Sequence, residues 1–241
     1  MLIHLTFILL LLSKILPLSL HNQFLRIAHR GFSQCYKDNS IISFQKAIEY
    51  NFDMIEMDIQ LSKNKDIVIY HDTYIKSTHI KDITTNILKK KYNIITLDDF
   101  FLYFDYLNVK INFDVKGNDI DVVTKLLESM LLYNVNTSNI YISSFDRNIL
   151  DRIINSKILY NMNYKSGFIT SNVFNDYDIA FGVFNDIDFI VLDYTILNNN
   201  YIDKIHKKNI KIFTYTNKNN NTYNIISKYN VDGIYSDCII K

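Results

Sequence analysis

At 241 residues and 48% hydrophobic side chains, the chain is long enough to bury a substantial core, as one large domain or two small ones. Its 26 basic and 25 acidic residues leave a formal charge of +1, which argues against nucleic acid or any partner held by bulk charge. The basic residues are scattered except for Lys89-Lys90-Lys91, read as a solvated helix face, while Cys35 and Cys238 form no metal-ligand pattern and read as free thiols, with a disulfide between the chain ends as the alternative.

Residues 1–22 read as a hydrophobic leader, a signal peptide or an anchor, ahead of a single domain spanning 23–241. The apolar stretch Leu5–Leu12 is too short to cross a bilayer comfortably and suits the core of a signal peptide. No basic residue precedes it and no small-x-small cleavage site stands before His21. The expectation is a secreted protein, or one in contact with a membrane through this segment; without that entry it is cytoplasmic. If secreted, Asn136-Thr137-Ser138 and Asn220-Asn221-Thr222 are glycosylation acceptors in loops.

From Phe24 onward, strand-like and helix-like segments alternate. Phe24–Ala28 reads as a strand, and Ser40–Asn51 as an amphipathic helix with Ile41, Phe44, Ala47 and Ile48 on one face. Strands follow at Asp53–Gln60 and Asp66–His71, then a helix over Lys89–Tyr106 with Leu97-Asp98-Asp99-Phe100-Phe101 inside it or starting a second one. Strand Lys110–Val115, helix Asp119–Tyr133, strand Asn139–Ser143 and helix Asp146–Asn155 come next. The chain closes with strands Ser166–Thr170 and Asp188–Leu192, helix Asn200–Lys208, strand Lys211–Tyr215, helix Thr222–Asn230 and strand Gly233–Ser236.

Near-continuous Ile, Val, Phe and Tyr runs alternating with helices indicate a parallel sheet covered by helices. At this length the reading is an α/β (β/α)8 TIM barrel, with an open doubly wound sheet as the alternative. No glycine-rich phosphate loop is present, which weakens that alternative. The nine strand-like segments are one too many for a barrel, and only Ser62–Lys65 and its flanks separate the second from the third.

In such a barrel the chemistry sits at the carboxyl ends of the strands. His29-Arg30 ends the first strand, Glu56 and Asp58 lie on one face of the second, and His71 ends the third. Asp114 and Lys116 share a face at the end of the fourth. Ser143-Ser144, Asp193, Thr214, Thr216 and Asp237 end later strands. Charges inside apolar strands are costly unless paired or metal-bound. One reading is plain ion pairing, of Glu56 and Asp58 with Lys116 and Arg30, and of Asp114 with Lys116. The other is a site: Glu56, Asp58 and Asp114 suit a hard divalent cation, Ca2+ or Mg2+. Arg30 and Lys116 would then bind an anionic substrate, and His29 and His71 would provide an acid and a base near neutral pH. Together these groups specify in-line attack on a phosphodiester.

His29-Arg30-Gly31, Asp38-Asn39-Ser40, Glu56-Met57-Asp58, His71-Asp72, Asp114-Val115-Lys116, Ser143-Ser144-Phe145-Asp146, Thr214-Tyr215-Thr216-Asn217 and Val231-Asp232-Gly233-Ile234-Tyr235-Ser236-Asp237 resemble, in order and spacing, the glycerophosphodiester phosphodiesterase family. That family belongs to the PLC-like phosphodiesterase barrels. The resemblance implies a barrel that hydrolyses glycerophosphodiesters to sn-glycerol 3-phosphate and an alcohol, the substrate a small glycerophosphodiester or a lysophospholipid. It implies metal ligands Glu56, Asp58 and Asp114, an acid–base pair His29 and His71, and phosphate contacts from Arg30 and Lys116. It also implies that the glycerol 2-hydroxyl can attack phosphorus to give a cyclic phosphate that water then opens. Two departures stand out. Lys37-Asp38-Asn39-Ser40 replaces the family's Pro-Glu-Asn-Thr, so a looser loop is expected, and Asp114 replaces a Glu. The Asp-x-Lys pattern is also similar to sphingomyelinase D-type phospholipases, which form a cyclic phosphate. A catalytically silent barrel that binds phosphodiesters is the non-enzymatic alternative.

Overall fold

Strand Met54–Leu61 (β2) is buried at every position, which accounts for a sequence apolar on both sides of the acids Glu56 and Asp58. It is one of eight parallel strands that close on themselves in the computed structural model, which describes residues 24–173 and 186–240. Around the ring β2 is followed by Lys110–Val115 (β6), Ile140–Ser144 (β7), Lys165–Thr170 (β8), Phe189–Asp193 (β9), Lys211–Asn217 (β10), Gly233–Ser236 (β11) and Leu25–Ala28 (β1). Closure comes from β1, which pairs in parallel with β11 on one side and with β2 on the other. The architecture is the (β/α)8 barrel that the alternation implied. The leader lies outside the described residues, among which no helix is long and apolar enough to cross a membrane.

The surplus strand is Ile67–Ile69 (β3). It runs antiparallel to the outer half of β2, pairing Leu61 with Ile67 and Ile59 with Ile69. A hairpin of this length leaves no room for the crossover that a parallel neighbour needs. His71 therefore does not end a parallel barrel strand as the sequence reading had it. A two-stranded ribbon follows, Tyr74–Ile75 (β4) with Thr78–His79 (β5).

Of the two readings of 89–106, one helix or a second starting at Leu97, the chain takes the second. Thr85–Tyr92 (α2) stops at Asn93, which takes the left-handed conformation, and Leu97–Tyr103 (α3) restarts with a capping box between Thr96 and Asp99. The remaining helices match their expected segments to within a few residues: Ile41–Glu49 (α1), Asp121–Leu132 (α4), Arg147–Leu159 (α5), Asn199–His206 (α6) and Asn220–Ile226 (α7).

Alternation along the strands sorts the barrel interior into two levels. The lower level is apolar, with Ile27, Met54, Phe189, Phe213 and Tyr235 in one cluster. Two residues further along β1, β2 and β11 the same face carries His29, Glu56 and Asp237. Gly167 on β8 is required by this packing, since a Cβ there would lie 2.3 Å from the Phe189 ring. At the opposite end, three aspartates just ahead of strands fasten their neighbours. Asp53, Asp188 and Asp232 accept backbone N–H bonds from Arg26, Ser166 and Ile212.

Asp188 also takes the Lys157 ammonium at 2.8 Å and the Ser166 hydroxyl at 3.1 Å. Burial works to raise its carboxyl, but Lys157 and the Ser166 N–H outweigh it and hold the group below the usual carboxylate range. Its contribution to stability is thus complete above the unfolded-state pKa of about 4 and is lost as pH falls through the lower folded value. Asp188→Ala is expected to cost about 1–3 kcal/mol at neutral pH, read from the urea midpoint, and the deficit should shrink in acid. An unchanged midpoint would remove Asp188 from the account.

Candidate active site

Chain reversal after β1 builds the first corner of the site. Arg30 and Gly31 have φ of 59° and 78°, and a Cβ on Gly31 would lie 2.3 Å from the Ser43 hydroxyl on α1. That tight turn aims the Arg30 N–H at Glu56 Oε2, 2.8 Å away. It also leaves His29 facing the C-terminal strand, where Nδ1 meets Asp237 Oδ1 at 2.6 Å. A carboxylate only accepts, so Nδ1 carries the proton and Nε2 is the nitrogen left for proton transfer. Ser33 donates to the same Asp237 oxygen at 3.1 Å. Burial pushes the Asp237 carboxyl up, yet the His29 bond outweighs it and the group stays ionised below its ordinary range.

The acids converge because β2 and β6 pair in register, Glu56 beside Asn112 and Asp58 beside Asp114. Glu56, Asp58 and Asp114 are all buried, and each offers an oxygen within 4.8 Å of the others. The ion-pair reading is realised in part. Lys116 Nζ lies 2.5 Å from Asp114 and 3.0 Å from Asp58, and Arg30 Nε lies 3.3 Å from Asp58. Three carboxylates face two cations, so one negative charge is left over. Burial, with Asp58 and Asp114 adding like charge, drives Glu56 well above the usual range. Asp114 is raised by burial and by Asp58 against the pull of Lys116. Asp58 is the exception: burial would raise it, but Lys116, Arg30 and His71 hold it low.

The donor set fits a hard divalent cation. All three groups are oxygen ligands, and opposite oxygens around Ca2+ or Mg2+ are roughly 4–5 Å apart. Asp114 Oδ1 is buried without a hydrogen-bond or ion-pair partner among the described residues, and Asp58 Oδ1 has only the Lys116 ammonium at 3.0 Å. Unmet buried carboxylate oxygens are expensive unless a cation serves them.

The loop expected to be loose is tied down. Asn39, with φ of 53°, donates to Asp58 Oδ2 at 2.7 Å and accepts from the Asp58 N–H at 3.2 Å. Ser40 then opens α1 with a capping box to Ser43. One short asparagine side chain therefore secures both the loop and the acid.

His71 arrives from a different direction. Because β3 runs back down the outer half of β2, the Tyr70 N–H reaches the Asp58 carbonyl at 2.9 Å and His71 falls level with the acids. Its Nδ1 meets Asp72 Oδ1 at 2.7 Å.

His29, Arg30, Glu56, His71, Asp114 and Lys116 all line one cavity of about 550 Å³, and Asp58 stands directly behind Arg30 and Lys116. Other strand-end polar groups divide. Asp237 and Thr216 line the cavity, whereas Ser143, Ser144, Thr214 and Asp193 bond to Asn112, Val115, Leu192 and Thr195 in structural roles. Sequence reasoning missed Asn112 and Tyr235 on the cavity floor, joined by a 2.7 Å bond from the Tyr235 hydroxyl to the Asn112 carbonyl oxygen. The alternation that paired Asp114 with Lys116 could have found Asn112. It also missed the rim, where Phe145 lies against Tyr215 and beneath the Lys116 ammonium.

The family model for the glycerophosphoryl diester phosphodiesterase family matches residues 29–241, nearly everything from the first site histidine onward. The chain belongs to that family. It is a phosphoric diester hydrolase, and glycerophosphodiesters are its substrate class. Among curated relatives, the Bacillus subtilis protein YhdW is 28% identical over 89% of this chain and 96% of its own length. The glycerophosphodiester phosphodiesterase of Caldanaerobacter subterraneus is 30% identical over 50% of this chain and 57% of its own. The glycerophosphodiester phosphodiesterase of Thermotoga maritima shares the barrel at a TM-score of 0.73 and 24% identity, covering 90% of this chain and 96% of that one. An Oleispira antarctica phosphodiesterase solved with the product sn-glycerol-3-phosphate shares it at 0.74 and 19% identity, covering 88% and 92%.

Proposed function

We propose that the chain hydrolyses small glycerophosphodiesters to sn-glycerol 3-phosphate and an alcohol, with His29 and His71 as the acid–base pair. The observation that carries this reading is their shared arrangement. Both line the same cavity, and each has Nδ1 engaged by an aspartate, at 2.6 Å for His29 and 2.7 Å for His71. One imidazole takes the proton of the attacking hydroxyl, either water or the glycerol 2-hydroxyl. As the new P–O bond forms and the bond to the alcohol breaks, the other imidazole protonates the leaving oxygen. Where the 2-hydroxyl attacks, water opens the cyclic phosphate with the two roles exchanged.

Arg30 and Lys116 face the cavity beside the acids and provide the positive charge that orients the phosphate oxygens. Glu56, Asp58 and Asp114 would hold Ca2+ or Mg2+, which supplies neutralisation of the charge that develops on phosphorus oxygens. The buried, unpartnered Oδ1 of Asp114 supports that assignment.

The test is release of glycerol 3-phosphate from glycerophosphocholine and a panel of related diesters. Chelation by EDTA is expected to lower the rate by about 10²-fold or more, with Ca2+ or Mg2+ restoring it. Full activity after exhaustive chelation would overturn the metal assignment, and no release from any diester would overturn the reaction.

A further inference from the structure

We infer that Gln60 is a positioning residue that sets the place of His71 in the cavity. The inference rests on the acid–base role proposed for His71. Gln60 is buried at 4% exposure, two residues beyond Asp58 on β2, in the half of that strand which pairs with β3. Its Nε2 donates to two backbone carbonyls, Tyr70 at 2.7 Å and Asp72 at 3.0 Å. Those are the residues immediately before and after His71. One amide nitrogen thus spends both protons on the peptide groups that bracket the histidine. The orientation is compelled by chemistry, because the reversed amide would set its oxygen against two carbonyl oxygens.

The surrounding contacts show what is left for Gln60 to do. The ladder with β2 secures Ile67–Ile69, Ile69 N–H bonds the Ile95 carbonyl, and Tyr70 N–H bonds the Asp58 carbonyl. The chain up to Tyr70 is therefore held without Gln60. Past it, His71 is half exposed and Asp72 more so, with side-chain exposures of 38% and 66%. A partly exposed dyad beyond the last of these bonds depends on its backbone for its place, and a displacement of about 1 Å at a proton-transfer group can cost about 10²-fold in rate. Gln60 supplies the missing constraint from the buried side. His29 needs no counterpart, since Asp237, one residue past β11 and itself bonded by the Ser33 hydroxyl, holds its Nδ1.

Gln60→Met fills the same space without a donor. In the full chain it is expected to lower kcat for glycerol 3-phosphate release by roughly 10- to 100-fold, with KM changed by less than about threefold. In a His71→Ala background the same substitution should cost less than about twofold, because the group it positions is gone. An equal loss in both backgrounds would overturn the inference. A second reading needs no turnover. With histidine carbon labels, Gln60→Met should shift or broaden the His71 ring resonance and leave that of His29 in place. An unmoved His71 resonance, or equal movement of both with a lowered melting temperature, would also overturn it. Gln60→Glu, whose carboxylate repels the same carbonyls, should give the same selective pattern if the methionine variant fails to fold. Should the wild type hydrolyse no diester, the reaction falls while the resonance measurement still decides Gln60.

Discussion

His29→Ala is expected to lower kcat for glycerophosphodiester hydrolysis by about 10²–10⁴-fold, the usual worth of a positioned general acid or base. KM should move little, because Arg30 and Lys116 remain in the cavity wall. Asp237, the nearest acid at 2.6 Å, is held below the ordinary carboxylate range and is a poor proton donor at neutral pH. In the proposed mechanism His71 serves the opposite half of the reaction. The fold should survive, since removing the ring leaves Asp237 partly exposed and still bonded to Ser33. The measurement is steady-state kinetics with a thermal melt as control. A loss below about fivefold in a folded variant would remove His29 from the chemistry.

Asp58→Ala is expected to be the most damaging single change to stability, at about 3 kcal/mol. Asp58 is 1% exposed and is shared by Lys116 at 3.0 Å, Arg30 at 3.3 Å and Asn39 at 2.7 Å. Its removal strands two cations and the amide that closes the Asp38-Asn39-Ser40 loop. The loss should lie at the low end for a broken buried pair. Arg30 keeps some solvent, and relief of like charge on Glu56 and Asp114 offsets part of the cost. Urea unfolding reads the outcome directly, and activity should vanish with the proposed cation site. A midpoint equal to wild type would mean that Asp58 is not the keystone of this cluster.

Several features of the site were legible in the chain. Alternation placed Glu56 with Asp58, and Asp114 with Lys116, on common faces, and the carboxyl-end rule grouped them with His29. The surplus strand could be counted but not identified. Its direction depends on pairing with the outer half of β2, which exists only because β1 ends at Ala28 and leaves that edge free. Of the two readings of 89–106, the second helix starting at Leu97 is the one realised: a left-handed Asn93 ends one helix and Thr96 starts the next. Those are local features on which apolar periodicity is silent. Asn39 was misread for the opposite reason: its value lies in a bond to Asp58, a contact that loop composition cannot foresee.

By itself the sequence determined the barrel class, the strand ends that carry chemistry, and the set of acids, cations and histidines available there. These follow from short-range periodicity, which residue spacing records directly. Only the tertiary structure decided which groups meet. Barrel closure brings Asp237 to His29 across 208 positions of chain, and the β2–β6 register sets Asp58 beside Asp114. An antiparallel return, steadied by Gln60, carries His71 into a mouth built by parallel strands. Register and closure are properties of paired strands, so no single stretch of residues could state them.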